Sequence, residues 1–148
     1  MKYFAYGSNM NRAQMKKRCP DSRLIGKAVL RDYKIAFTIF SKRRNCGCAD
    51  IISSKGQEVW GLLYEVSSDD LAKLDRAEGH PKNYKRFKIT VGDQNQENHL
   101  TETYEVAIKQ GEFLKPSKHY LGLIRDAAHE FDFPKKYQDL LSTFDTSD

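Results

Sequence analysis

The apolar residues of this chain form two kinds of pattern along its length. Short runs rich in aromatic and β-branched residues, typical of buried strands, occupy the first two thirds. The run over 58–66 is apolar on both faces, which is typical of a strand in the middle of a sheet. The predicted strands cover residues 3–6, 29–30, 34–40, 49–52, 58–66, 84–91 and 101–109.

Helical periodicity dominates the last third of the chain. Apolar residues three and four apart predict one amphipathic helix over 120–131 and a second that starts at Pro134. A shorter helix is predicted after Ser67, because Ser67-Ser68-Asp69-Asp70 offers serine caps and acidic residues in the first turn. We expect this helix to end near Asp75 or Arg76 and to leave 77–81 irregular.

The order of these elements predicts the fold class. Strands grouped first and helices later favour an α+β fold over a doubly wound sheet. At 148 residues, the chain is expected to form one domain, 1–148, with a core of its own.

Charge and composition narrow the function classes. The net charge is +5, with basic clusters at 16–18, 42–44 and 82–88. Nucleic-acid binding is one interpretation, but no nucleic-acid motif is present and acidic residues are interspersed elsewhere. We expect no nucleic-acid partner and a solvated basic surface that draws in an acidic small molecule.

Cysteines, histidines and apolar runs add three expectations. Cys19, Cys46 and Cys48 are interpreted as reduced thiols, and the four histidines show no ligand-like pairing, so no metal is expected. No apolar run is long enough to cross a membrane, and we expect no membrane as a partner. Met1-Lys2 leads directly into a strand without a secretory signal, so we expect a cytoplasmic protein.

The first strand ends in a turn that could bind an anion. Gly7-Ser8-Asn9 are small residues that stop a strand and leave backbone N–H groups without ladder partners. Such groups can converge on a carboxylate or an oxyanion, helped by the start of a helix over 10–18. A tight turn that merely joins a strand to a helix is the alternative.

Two motifs carry a family resemblance. The segment Tyr3-Phe4-Ala5-Tyr6-Gly7-Ser8-Asn9 resembles the N-terminal signature of the γ-glutamylcyclotransferases. Leu74-Asp75-Arg76-Ala77-Glu78-Gly79 is similar to the family's segment with the catalytic glutamate. Further matches in family order extend the resemblance from Tyr3 to about Leu141. It implies a small, mostly closed β-barrel flanked by helices, and relatives suggest a homodimer.

The resemblance also implies a reaction. The α-amino group of a γ-glutamyl compound attacks its own γ-carbonyl, which closes a five-membered lactam, 5-oxoproline, and expels the attached amine. Intramolecular attack has a high effective molarity, so no cofactor is expected. Glu78 would act as general acid and base, with a pKa raised by partial desolvation.

The resemblance assigns substrate binding to the N-terminal signature and two tyrosines. These residues are Tyr3, Phe4, Ala5, Tyr6, Gly7, Ser8, Asn9, Tyr84 and Tyr104. Ser8 lacks the elbow motif or a neighbouring histidine of a nucleophile, so it is given a binding role. Trp60 and Tyr64 are expected in the core. Asn9 stands where glutathione-specific relatives carry leucine, which places the chain nearer to the enzymes that act on γ-glutamyl amino acids.

Two alternatives remain open at this point. The chain could act on another γ-glutamyl amine, such as a γ-glutamyl-lysine derivative or an acylated natural product. It could also be a ligand-binding domain that kept the fold without the activity. An altered glutamate would favour the second alternative, whereas Glu78 is present in its motif.

Overall fold

Five strands close into a β-barrel in the computed structural model, which describes residues 1–148. The strands are β1 (Lys2–Ala5), β2 (Arg23–Ser41), β3 (Cys46–Glu65), β4 (Tyr84–Asp93) and β5 (Asn98–Val106). They follow one another around the barrel as β1-β3-β2-β4-β5. The barrel closes where β1 pairs in parallel with β5 at Tyr3 and Glu102, and the other pairings are antiparallel. The predicted α+β barrel is confirmed.

Four α-helices and one short 3₁₀ helix accompany the barrel. They are the 3₁₀ helix Ser8–Met10, α1 (Arg12–Arg18), α2 (Ser68–Glu78), α3 (Lys118–Glu130) and α4 (Lys135–Ser142). Ser67 and Ser117 cap α2 and α3 by accepting a hydrogen bond from the backbone three residues ahead. None of the helices combines the length and the apolar character needed to cross a membrane.

The strands β2 and β3 are longer than the sequence pattern predicts. The separate strands expected over 29–30, 34–40 and 49–52 are parts of two paired strands of 19 and 20 residues. Irregularities in the register, including one between Arg31 and Tyr33, interrupt the alternation of apolar residues without ending the ladder. Asp32 between them has a φ of 67°.

The end of α2 also differs from the prediction. The helix continues past Asp75 and Arg76 and includes Glu78 as its last residue. Alanine and glutamate favour helix, and Gly79 stops it only afterwards by adopting a left-handed φ of 67°. Glu78 therefore stands on a regular helix and not in an irregular segment.

Close packing fixes where β1 ends. A side chain at Gly61 of β3 would place its Cβ 2.3 Å from the carbonyl oxygen of Ala5, so only glycine permits this approach. Tyr64 is fully buried in the core, as expected. Trp60 is half-buried and packs against Phe133, with 6.0 Å between the ring centroids. The close approach at Gly61 and the pairing of β1 with β3 hold the last residues of β1, and therefore the turn that follows, against the barrel.

Candidate active site

A narrow cavity lies where β1 gives way to the Gly7 turn. It is lined by Tyr3, Tyr6, Gly7, Ser8, Asn9, Ala49, Glu78, Tyr84, Thr103, Tyr104 and Tyr120. We call this the inner cavity. Eight of the ten residues predicted for the site are among those that line it.

The other two predicted residues, Phe4 and Ala5, do not line the inner cavity. Both are buried in the barrel core, and both pair with β3. The carbonyl oxygen of Phe4 accepts a hydrogen bond of 2.8 Å from the Thr103 hydroxyl. Phe4 and Ala5 therefore support the turn from within the barrel core and do not face the cavity.

The turn presents backbone N–H groups. The N–H of Gly7 has no acceptor in the protein, and Ser8 and Asn9 open the 3₁₀ helix, whose first N–H groups lack intrahelical acceptors. A Cβ at Gly7 would stand 3.5 Å from the Ala49 Cβ and 3.6 Å from the Tyr120 hydroxyl. Those distances are ordinary contacts, so glycine at this position leaves open a space that a side chain would occupy.

Asn9 connects the turn to the rest of the site. Its side-chain oxygen accepts hydrogen bonds of 2.9 Å from Gln14 and from Arg18. Its side-chain nitrogen donates to the Tyr3 hydroxyl at 2.9 Å and to Glu78 Oε1 at 3.4 Å. With these partners the amide is fully used within the protein, so Asn9 acts as a clamp between β1, α1 and α2.

Gln14 and Arg44 complete the support of the turn. The Gln14 amide donates to Ser8 Oγ at 2.8 Å and accepts from the Arg44 guanidinium at 2.9 Å. Arg44 also lies over the Tyr120 ring, 5.0 Å from its centroid. Sequence reasoning missed both residues, since Gln14 carries no motif and Arg44 belongs to a basic cluster interpreted as solvated.

Glu78 is the only acidic residue of the inner cavity. Its side chain is 19% exposed, and Arg18 Nη1 lies 3.8 Å from its Oε1. Burial raises the pKa of the Glu78 carboxyl above its ordinary value, and the positive charges of Arg18, Arg44 and Arg43 offset part of that rise. A carboxyl group with a raised pKa is better suited to accept and return a proton than an ordinary glutamate.

Three of the tyrosine hydroxyls around the cavity are engaged with the protein. Tyr6 donates to the carbonyl of Tyr104, Tyr84 to the carbonyl of Ala49, and Tyr104 to the carboxylate of Asp75, at 2.7, 2.7 and 2.6 Å. Burial raises the pKa of each of these phenols, which stay neutral. Their rings therefore form rigid walls.

Tyr120 differs from these three tyrosines. Its oxygen accepts the Ala49 N–H at 2.9 Å, and its proton is donated to no oxygen or nitrogen of the protein, with the Cys48 thiol as the neighbour whose pKa this hydroxyl lowers. This residue lies in the apolar stripe of α3, and the sequence pattern indicated only a core position. No sequence signal distinguishes it from a core tyrosine.

Asp75 orients two neighbours of the site. It accepts from Tyr104 at 2.6 Å and from Arg86 Nε at 2.9 Å. Burial by itself raises the pKa of Asp75, but these hydrogen bonds and the Arg86 charge outweigh it and lower the pKa. The aspartate of the Leu74 to Gly79 motif thus fixes the Tyr104 ring, one helical turn before Glu78.

A second and larger depression adjoins the inner cavity, and we call it the outer groove. Its volume is about 460 Å³, and it shares Ser8, Glu78, Tyr84 and Tyr120 with the inner cavity. It is otherwise lined by Arg18, Ile39, Phe40, Ser41, Lys42, Arg43, Arg44, Cys48, Ala77, Asn83 and Gln110. Burial raises the pKa of Cys48 to about 12, so its thiol is a poor nucleophile near neutral pH.

One group of potential metal ligands lies away from the site, at the turn between β4 and β5. Atoms of Asp93, Glu97 and His99 lie within 4.8 Å of one another. Both ring nitrogens of His99 already have partners, Asp93 Oδ2 at 2.7 Å and Lys2 Nζ at 2.8 Å. These hydrogen bonds explain why the three side chains lie close together in this turn.

Known proteins resemble this chain in sequence and in structure. The model of the AIG2-like family matches residues 58–141. The γ-glutamylcyclotransferases of cattle and human are each 30% identical over 151 aligned positions, which cover 99% of this chain and 79% of either relative. A solved structure of a γ-glutamyl cyclotransferase superposes with a TM-score of 0.93 at 29% identity, covering 100% of this chain and 89% of that one.

Proposed function

The chain belongs to the AIG2-like family and to the γ-glutamylcyclotransferases, which are enzymes, and from this we propose that Glu78 is its catalytic acid and base. The observation that carries the proposal is the position of this carboxyl group. It is the single acidic group at the junction of the inner cavity and the outer groove. A proton carrier at this junction can reach both the attacking nitrogen and the departing one.

The glutamyl part of the substrate binds in the inner cavity. Its α-carboxylate and the oxyanion that develops on the γ-carbonyl are negative, and the free N–H groups of the Gly7 turn are suitable donors for such charge. The Tyr120 hydroxyl has a proton to donate on the same side. The tyrosine walls hold the glutamyl chain in the folded shape that brings nitrogen and carbonyl together.

The proton balance defines what Glu78 must do. The α-ammonium group loses two protons as its nitrogen becomes the lactam nitrogen, while the C–N bond of the γ-amide breaks. The departing nitrogen gains two protons and leaves as an ammonium group. Glu78 takes one proton from the first nitrogen and delivers it to the second, the other proton is exchanged through solvent water, and Glu78 ends the cycle as the carboxylate it was at the start.

Release of 5-oxoproline from a panel of γ-glutamyl dipeptides tests this function. We expect the wild-type protein to release 5-oxoproline and one amino acid in equal amounts, and Glu78→Gln to release neither at a comparable rate. Lack of release from every dipeptide by folded protein would contradict the function. Equal rates in wild type and Glu78→Gln would contradict the role of Glu78 alone.

A further inference from the structure

The outer groove carries an excess of positive charge. Four of its side chains are cationic, Arg18, Lys42, Arg43 and Arg44, whereas Glu78 is the one acidic side chain. A groove lined by one sign of charge concentrates ligands of the opposite sign. The charge is therefore a property of the depression beside the reacting bond and not only of the protein surface in general.

The four cations are not equivalent. Arg18 is engaged with Asn9 and Glu78, and Arg44 with Gln14, Ser8 and the face of Tyr120. Lys42 and Arg43 are exposed and make no hydrogen bond or ion pair within the protein. Two cations thus support the site, and two are available to a ligand.

The hairpin between β2 and β3 places these two residues at the groove. Ser41 pairs with Cys46, so Lys42 and Arg43 occupy the turn at the tip of the hairpin. The turn is anchored on the groove side by the Ser41 hydroxyl, which accepts the Arg44 N–H at 3.1 Å. The Arg43 charge is close enough to influence Glu78, whose pKa it lowers.

We propose that the outer groove selects γ-glutamyl compounds whose leaving group is an acidic amino acid, with Lys42 and Arg43 as the specificity-determining residues. This proposal rests on the cyclotransferase reaction proposed above. An acidic amino acid brings two carboxylates to the groove, one on its α-carbon and one on its side chain. Two free cations match those two charges, and no acidic side chain other than Glu78 opposes them.

Three dipeptides of similar size separate the effect of charge from that of shape. They are γ-glutamyl-glutamate, its neutral counterpart γ-glutamyl-glutamine, and γ-glutamyl-lysine, whose side chain is cationic. We expect kcat/KM to fall in that order, with about a fivefold to tenfold preference for glutamate over glutamine, as exposed ion pairs allow. The preference should shrink between about 0.01 M and about 0.15 M salt, as the Debye length falls from about 30 Å to about 8 Å.

A double variant locates the source of the preference. In Lys42→Gln/Arg43→Gln, the glutamate-to-glutamine ratio of kcat/KM should approach one. A matched double variant, Lys55→Gln/Lys88→Gln, removes two exposed lysines that do not line the groove and should keep the wild-type ratio. Equal thermal melting of the two variants shows that both are folded.

The outcomes separate this proposal from the function on which it rests. Cyclotransfer with equal kcat/KM for glutamate and glutamine leaving groups would overturn the selectivity and leave the reaction standing. A preference that survives in Lys42→Gln/Arg43→Gln would overturn the assignment to these two residues. Absence of 5-oxoproline from all three dipeptides would reject the reaction itself.

Discussion

The inner cavity and the outer groove share four residues but differ in whether their polar side chains have partners within the protein. In the inner cavity, the amide of Asn9 and the hydroxyls of Tyr6, Tyr84 and Tyr104 all have partners within the protein. In the outer groove, Lys42 and Arg43 have none.

The difference separates two tasks of one site. The hydrogen bonds in the inner cavity hold its polar side chains in fixed positions. Such an arrangement suits a reaction whose atoms must meet in one geometry, because the dipoles of the site need not reorganise during the reaction. Free charges at a hairpin tip favour the recognition of ligands that vary in shape. We therefore expect substitutions in the inner cavity to change the rate for every substrate. Substitutions in the outer groove should change the ranking of substrates.

The largest expected effect is that of Glu78→Gln. Removing a general acid and base typically lowers the rate about 10² to 10⁴-fold, and this loss should be equal for all leaving groups. Thermal melting should show that the variant is at least as stable as wild type at neutral pH. A buried carboxyl with a raised pKa destabilises the fold above that pKa, and glutamine removes this cost.

Glu130→Gln is the matched control. Glu130 is the last residue of α3, as Glu78 is of α2, but it is exposed and lies outside both depressions. The rate of 5-oxoproline release by Glu130→Gln should equal that of wild type. A similar loss in both variants would show that the effect does not come from the position of Glu78.

A smaller loss is expected for Gly7→Ala. The added methyl fits without a clash, at 3.5 Å from Ala49 Cβ and 3.6 Å from the Tyr120 hydroxyl, but it narrows the space beside the free N–H groups. Because displacement of the reacting atoms by about 1 Å can cost about 10²-fold, we expect a loss of about 10-fold to 100-fold with an unchanged melting temperature.

Gly122→Ala provides the comparison for Gly7→Ala. Gly122 lies inside α3, and an added Cβ there would have no heavy atom within 4 Å. Alanine should therefore raise helix stability by up to about 1 kcal/mol and leave the rate unchanged. Full activity of Gly7→Ala would contradict the binding role of the turn.

The smallest effect is a shift in pH dependence on replacing Arg18 by glutamine. The Arg18 charge lowers the pKa of Glu78, so its loss should raise that pKa. The base form of Glu78 is lost as pH falls through its pKa, and the acidic limb of the profile of rate against pH should therefore move to higher pH. Lys17→Gln removes a neighbouring exposed charge that lines neither depression and should leave the limb in place. A limb that moves equally in both variants would contradict a specific Arg18 contact.

Local patterns predicted much of the fold. The strand that stops before Gly7 and the serine cap of α2 were predicted, because each depends on neighbours in sequence. The predicted end of α2 was wrong, because the stop signal is the left-handed Gly79 and not the charged residues before it. The predicted breaks within β2 and β3 were wrong because a bulge and a turn produce similar interruptions in an apolar pattern.

Some residues of the candidate site could also be predicted from the sequence, and others could not. Its motif residues could be found from the sequence, through a resemblance carried by short contiguous segments. Tyr120, Arg18 and Arg44 could not, since an aromatic residue in a helical stripe indicates a core position and an arginine in a basic cluster indicates solvent. Their roles come from contacts with Ala49, Glu78 and Gln14, which lie elsewhere in the chain.

By itself, the sequence determined local features of this protein: a strand stopped by small residues, a glutamate in a short motif after a capped helix start, and a basic cluster over 42–44. Tertiary structure alone decided that these segments share one site. Asn9 and Glu78 are 69 residues apart and come within 3.4 Å. The physical reason is closure of the barrel, in which the pairing of β1 with both β3 and β5 fixes the turn after β1, while packing brings α1 and α2 against each other beside it.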